Sequence, residues 1–185
     1  MSNVAGRSPA LRAKEALAEI IRIVSGPVPE GHKRMLKYVI QTIYETPPHA
    51  TVLVLRKGEL IPDVPVHERS CQKCKVIWFD PPELPFVYPG VALCVEPGEY
   101  RVSLLWDTVH ELGHVLNGPP REDVVECPRW EESAWDRGWG ALIEAIPDVA
   151  EEVESYREEK ERALEQYRRD SKHTCSFCKS PVEDD

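Results

Sequence analysis

The sequence predicts an α+β fold, and three observations carry the prediction. Apolar residues recur at helical spacing from about position 8 to position 43, give way to short β-branched and aromatic runs between 51 and 105, and return to helical spacing from about 104 onward. Helices, a small sheet of three or four strands, and further helices are expected in that order. At 185 residues, 42% of them hydrophobic, the chain is long enough to bury one main core.

In the first helix Leu11, Ala16, Leu17, Ile20, Ile21 and Val24 follow Ser8-Pro9, which reads as an N-cap and a first-turn proline. Gly26, Pro27 and Pro29 break it. Met35, Leu36, Val39, Ile40 and Ile43 mark a second helix that stops before Pro47-Pro48. TVLVLR (51–56) and KVIWF (75–79) then read as strands. FVYPGVALCVE (86–96) and YRVSLL (100–105) are expected as edge or hairpin strands, with Pro89-Gly90 weakening the first. A helix from about Leu104 to Asn117 is closed by Asn117-Gly118 and stopped by Pro119-Pro120. Trp130 to Ile146 reads as another helix. After Pro147, Asp148 is expected to N-cap a last long helix, 148–170, which is acidic at its start and basic at its end, matching the helix dipole. The domain is taken as 7–170, with a core of about 30–146, followed by a short cysteine-containing tail, 171–185.

Charge and hydropathy exclude several roles. A formal charge of -9 argues against nucleic acid or an anionic membrane as the main partner. No apolar run approaches the roughly 20 residues that span a bilayer, and the N-terminus lacks a signal-peptide core. A soluble, cytoplasmic protein acting on a protein or peptide is expected.

The chemistry concentrates in WDTVHELGHVLNGPP (106–120). On a helix, positions i and i+4 share a face, so His110 and His114 can address one metal ion. Two imidazoles and one further protein ligand leave a zinc coordination position open for water, and Glu111, directly after the first histidine, is placed to act as general base on that water. Gly113, a costly residue in mid-helix, reads as making room beside the metal. The only later histidine, His173, lies in the tail, and Asn117 and Pro120 occupy the positions where a metzincin needs glycine and histidine. A carboxylate from RWEESAW (129–135) therefore remains for the third ligand: Glu131, with Glu132 as the alternative. A deformylase-like site with Cys94 as ligand fits poorly, because Cys94 stands only 16 residues before His110. Tyr88, Tyr100, Arg129 and Arg137 are available as donors to the reacting carbonyl.

HELGH after a strand, a short loop, and then E-x-x-A (Glu131, Ala134) in the next helix resembles the ImmA/IrrE family of small bacterial and phage-borne metallopeptidases. The resemblance spans about residues 7–146 and is strongest at 104–118. It implies a minimal zincin-like, gluzincin-type fold with N-terminal helices, a small sheet, the HExxH helix and a helix supplying the glutamate, and a zinc-dependent peptidase that cleaves a protein substrate, often a repressor. The chain departs from the family pattern at Ser133, in place of a second acidic residue, and at Trp135, in place of the asparagine or aspartate that commonly supports a ligand histidine; Asp136 and Asp107 are the alternative supports. The competing reading is a non-catalytic regulator or binding module on the same fold with a structural zinc.

Two CxxC pairs, Cys71/Cys74 and Cys175/Cys178, have the spacing of zinc knuckles. A shared four-cysteine structural zinc is expected to staple the tail to 71–74. Cys94 and Cys127 read as buried or incidental thiols.

Overall fold

The computed structural model describes residues 7–62, 70–79, 88–120 and 127–170. Among them are five α-helices and a three-stranded mixed sheet: α1 (Pro9–Ile23), α2 (Glu30–Glu45), β1 (Thr51–Arg56), β2 (Lys75–Phe79), β3 (Tyr88–Val95), α3 (Ser103–Asn117), α4 (Pro128–Ala145), a 3-10 segment (Pro147–Glu152) and α5 (Val153–Asp170). This is an α+β arrangement. No helix among the described residues is long and apolar enough to cross a membrane.

The caps follow the local chemistry. The Ser8 hydroxyl accepts the Leu11 N–H and Pro9 opens α1. Gly118, at φ 82°, closes α3 by donating its N–H to the carbonyls of His114 and Val115, a backbone conformation that favours glycine. At the other end of the chain the expectation needs correcting. Asp148 does not cap an α-helix: it sits in the 3-10 segment, where it pairs with Arg34 of α2, and the regular helix begins at Val153.

The sheet order is β1-β3-β2, with β1 parallel and β2 antiparallel to β3. The segment expected at an edge is thus the centre. Pro89 is tolerated because pairing with β1 starts only at Gly90, so the missing N–H falls at the end of the strand. Gly90 serves a contact: a Cβ there would come within 2.6 Å of the Phe79 ring. YRVSLL forms no strand. Its last three residues begin α3, with Leu104 and Leu105 buried, because their apolar spacing continues that of the helix and not of a hairpin.

The α3 helix is the hub of the molecule. Leu105, Trp106, Val109 and Leu112 are fully buried, packed with α2, α4 and the sheet in one cluster that includes Leu36, Ile40, Leu93, Trp135 and Leu142. Contact with α4 is a backbone contact. A Cβ on Gly113 would lie 1.7 Å from the Ala134 carbonyl oxygen, and one on Gly138 would lie 2.1 Å from that of Val109. Gly113 thus makes room for α4 rather than for a metal. The two glycines, on opposite helices, let the axes approach more closely than side chains would permit.

Candidate metal centre

Close approach of α3 and α4 brings three donor side chains to one point. His110 and His114 project from one face of α3, and Glu131, in the first turn of α4, meets them. His110 Nε2 stands 3.1 Å and His114 Nε2 3.4 Å from Glu131 Oε2. Ligands about 2.0–2.1 Å from a tetrahedral ion are about 3.3 Å apart, so both distances to Glu131 suit ligands sharing one ion. Among the described residues these three are the one group of His, Cys, Asp or Glu donors gathered within 4.8 Å.

The polar atoms themselves point to a ligand. His110 Nε2 and Glu131 Oε2 are buried and face each other, yet neither makes a hydrogen bond of good geometry. Buried donors and acceptors left this way are costly unless something fills the point they share. Burial disfavours charge on His110, but the carboxylates of Glu111 and Glu131 beside it prevail and push the imidazole up to about 9. Burial likewise opposes the Glu131 carboxylate, and His110 and His114 overcome it, holding it well below the usual range. Without a cation the cluster is an imidazolium–carboxylate pair; a divalent ion would replace the proton.

Of the two adjacent glutamates, only Glu131 faces the histidines. Glu132 is turned outward, 4.0 Å from Lys160 of α5. Substituting Glu131 by alanine is expected to cost at least one bound zinc per chain, and Glu132→Ala none, in elemental analysis of the dialysed proteins; equal zinc content in both would exclude Glu131 as a ligand.

Glu111 is 4% exposed and stands beside the cluster, with Oε1 3.6 Å from His110 Nδ1. Its side chain lines a cleft of about 260 Å³ that also receives His110, His114 and Glu131. Val76 and Trp78 of β2 form one wall and Trp130 with Pro120 part of the other. The three donors are therefore reached from a cleft whose wall is, among the described residues, an edge strand of the sheet.

Trp135 stacks on the His110 ring with centroids 4.6 Å apart and planes 10° from parallel, so a slab of indole lies flat against the imidazole and restrains its plane. The slab is itself held: the Tyr156 hydroxyl donates to the Trp135 carbonyl, and Tyr156 stacks on Trp139 at 4.4 Å. Neither aspartate takes over the support. Asp136 is exposed and pairs with Lys160. Asp107 lies one turn before Glu111, where burial, with the Glu159 and Glu111 carboxylates, pushes it up to about 7.

Three expected donors lie elsewhere. Tyr100 packs on His32, with rings 5.7 Å apart, and Arg129 and Arg137 border a shallow depression on the other side of α4; the Tyr88 side chain is outside the described set. Lys73, Lys75 and Tyr167 line the cleft instead. Sequence reasoning missed them because they come from the turn before β2, the first residue of β2 and the end of α5, far from the motif in the chain.

Cys71 and Cys74 are buried together at the start of β2. Burial, with Cys94 adding, pushes the Cys71 thiol up to about 12, and burial raises Cys74 too. Cys94 joins them, while Cys127 is buried at the start of α4. Cys175 and Cys178 lie outside the described residues.

No family model matches the chain, and comparison with curated proteins and with solved structures finds no match.

Proposed function

We propose that the protein is a zinc-dependent peptidase of the ImmA/IrrE type, with a zincin-like fold and a protein or peptide substrate. The observation that carries this is the convergence of His110, His114 and Glu131 on one point, with Glu111 beside them in an open cleft. Three donors are the complement of a catalytic zinc, whereas a structural ion takes four. Zinc bound there supplies Lewis acidity and an acidified water. Glu111 then takes a proton from the attacking water and delivers it to the leaving amine nitrogen.

The cleft supports a polypeptide substrate. Among the described residues β2 is an edge strand, and Val76 and Trp78 on it line the same cleft as the donors. An extended peptide laid along β2 would gain main-chain hydrogen bonds and present its scissile carbonyl to Glu111. Trp78 and Trp130 favour an apolar side chain beside that bond.

The test is hydrolysis of an unstructured peptide mixture by the zinc-loaded chain, followed by mass spectrometry. Cleavage that stops on chelation and resumes with zinc is expected. Stoichiometric zinc at this centre with no cleavage of any peptide, or of any partner protein isolated with the chain, would favour the non-catalytic regulator.

A further inference from the structure

The metal cleft does not end at Glu111. A side pocket of about 200 Å³ adjoins it there, sharing Lys73, Cys74, His110, Glu111 and Tyr167 with the cleft and adding Asp107, Trp135 and Ala163 to its walls. Along α3, His114, Glu111 and Asp107 follow one another at about one turn each, so they form a row on one side of the helix. Trp78 and Trp130 line the cleft but not the side pocket, whereas Asp107 lines the side pocket but not the cleft. The three donors thus lie between an apolar end and an end that carries a carboxyl group.

That carboxyl group has no partner. Among the described residues no hydrogen bond or ion pair reaches the Asp107 side chain. Arg162 on the same wall pairs with Glu159, and Lys73 holds its ammonium 5.6 Å from the Tyr167 ring centroid. At Asp107 the carboxylates of Glu159 and Glu111 outweigh the opposite influence of His110 and Arg162, and together with burial they push it up to about 7. A cation brought to this point would relieve the repulsion, and an anion would add to it.

Reach and room favour a long side chain. Asp107 stands four residues from Glu111, about 6 Å along the helix axis. It also lines a further cavity of about 290 Å³ that none of the three donors touches. Trp135, Ala163 and Cys74 offer apolar surface to an aliphatic stem on the way.

Resting on the peptidase reading above, we propose that the side pocket takes a lysine or arginine side chain of the substrate next to the scissile bond, with Asp107 as the residue that selects it. The ammonium or guanidinium pairs with the Asp107 carboxylate, and the residue across the bond lies at Trp78 and Trp130. Asp107 sets specificity and takes no part in the proton transfers of Glu111.

Two measurements test this, and the first needs no cleavage. N-acetyl-arginine amide and N-acetyl-citrulline amide are nearly alike in shape and differ in charge. Each is titrated calorimetrically into the chelator-treated full chain at about pH 8, where Asp107 is ionised. At least about tenfold tighter binding of the arginine compound is expected, with the advantage lost in Asp107→Asn. Asparagine keeps the shape of the protonated side chain, and the comparison of the two amides on the parent chain needs no variant. The second measurement maps cleavage of a peptide mixture by the zinc-loaded chain. Sites beside lysine or arginine should be preferred by at least about tenfold in kcat/KM over the same peptides carrying citrulline, and Asp107→Asn should remove the preference. Equal binding of the two amides by the parent, an arginine advantage that survives Asp107→Asn, or cleavage indifferent to a basic residue would overturn the proposal. Arginine-selective binding that Asp107→Asn abolishes, with no peptide cleaved, would instead remove the peptidase reading and leave the pocket's selectivity standing.

Discussion

Glu111→Gln is expected to lower peptide cleavage by roughly 10²- to 10⁴-fold while leaving zinc bound. Glutamine keeps the shape of the side chain and its place beside His110, but it cannot take a proton from the attacking water. Glu111 stands outside the donor cluster, so its amide removes no ligand. The paired measurement is kcat on a cleaved peptide and zinc content of the same preparation. Parent-level cleavage by the variant would sink the general-base role. Loss of zinc along with activity would show that Glu111 belongs to the metal site itself.

Gly113→Ala is expected to destabilise the protein by roughly 3 kcal/mol and to weaken zinc binding with it. The added Cβ would lie 1.7 Å from the Ala134 carbonyl oxygen, and that oxygen is α4 backbone, so no flexible side chain can swing away. Relief requires α4 to move outward, which carries Glu131 away from two histidines it meets at 3.1 and 3.4 Å. Gly138→Ala, on the opposite helix against Val109, should act in the same direction. Gly140→Ala is the control, because nothing lies within 4 Å of its added carbon. Denaturant midpoints and zinc titrations on the three variants check this. Parent-like stability in Gly113→Ala would mean that the helices do not cross at backbone contact.

A smaller effect concerns pH in the zinc-free protein. His110 is raised from 6.5 to about 9 in the folded chain, so its contribution is complete below about 6.5 and is lost as pH rises through about 9. Glu131 is depressed below its ordinary 4.5, so its contribution is complete above about 4.5 and is lost as pH falls beneath it. Chelator-treated protein should therefore lose stability between about pH 6.5 and 9, and zinc should remove that loss, since the bound ring carries no proton to give up. A flat profile in the zinc-free protein would contradict the His110–Glu131 pairing.

Much of the site was legible because its signals are local. The i, i+4 spacing of His110 and His114, the position of Glu111 and the Asn117-Gly118-Pro119 stop depend on residues within one or two turns of each other, and the structure sets them on one helix closed at Gly118. The helix order was legible for the same reason. The strands were harder. YRVSLL has the β-branched and aromatic look of a strand, but burial of Leu104 and Leu105 in the core draws its second half into α3, where tertiary packing outweighs propensity.

The sequence by itself determined that two histidines would share a helix face with a carboxylate directly after the first, that glutamates at 131 and 132 stood next in the chain, and that two CxxC pairs stand about a hundred residues apart. The tertiary structure alone decided which glutamate turns inward, that Gly113 yields to the Ala134 carbonyl, that Trp135 stacks on the His110 ring, and that β2 walls the cleft. The first set follows from the periodicity of a single backbone. The second depends on the rotation and separation of two helices and a sheet, which are set by close packing between residues distant in the chain.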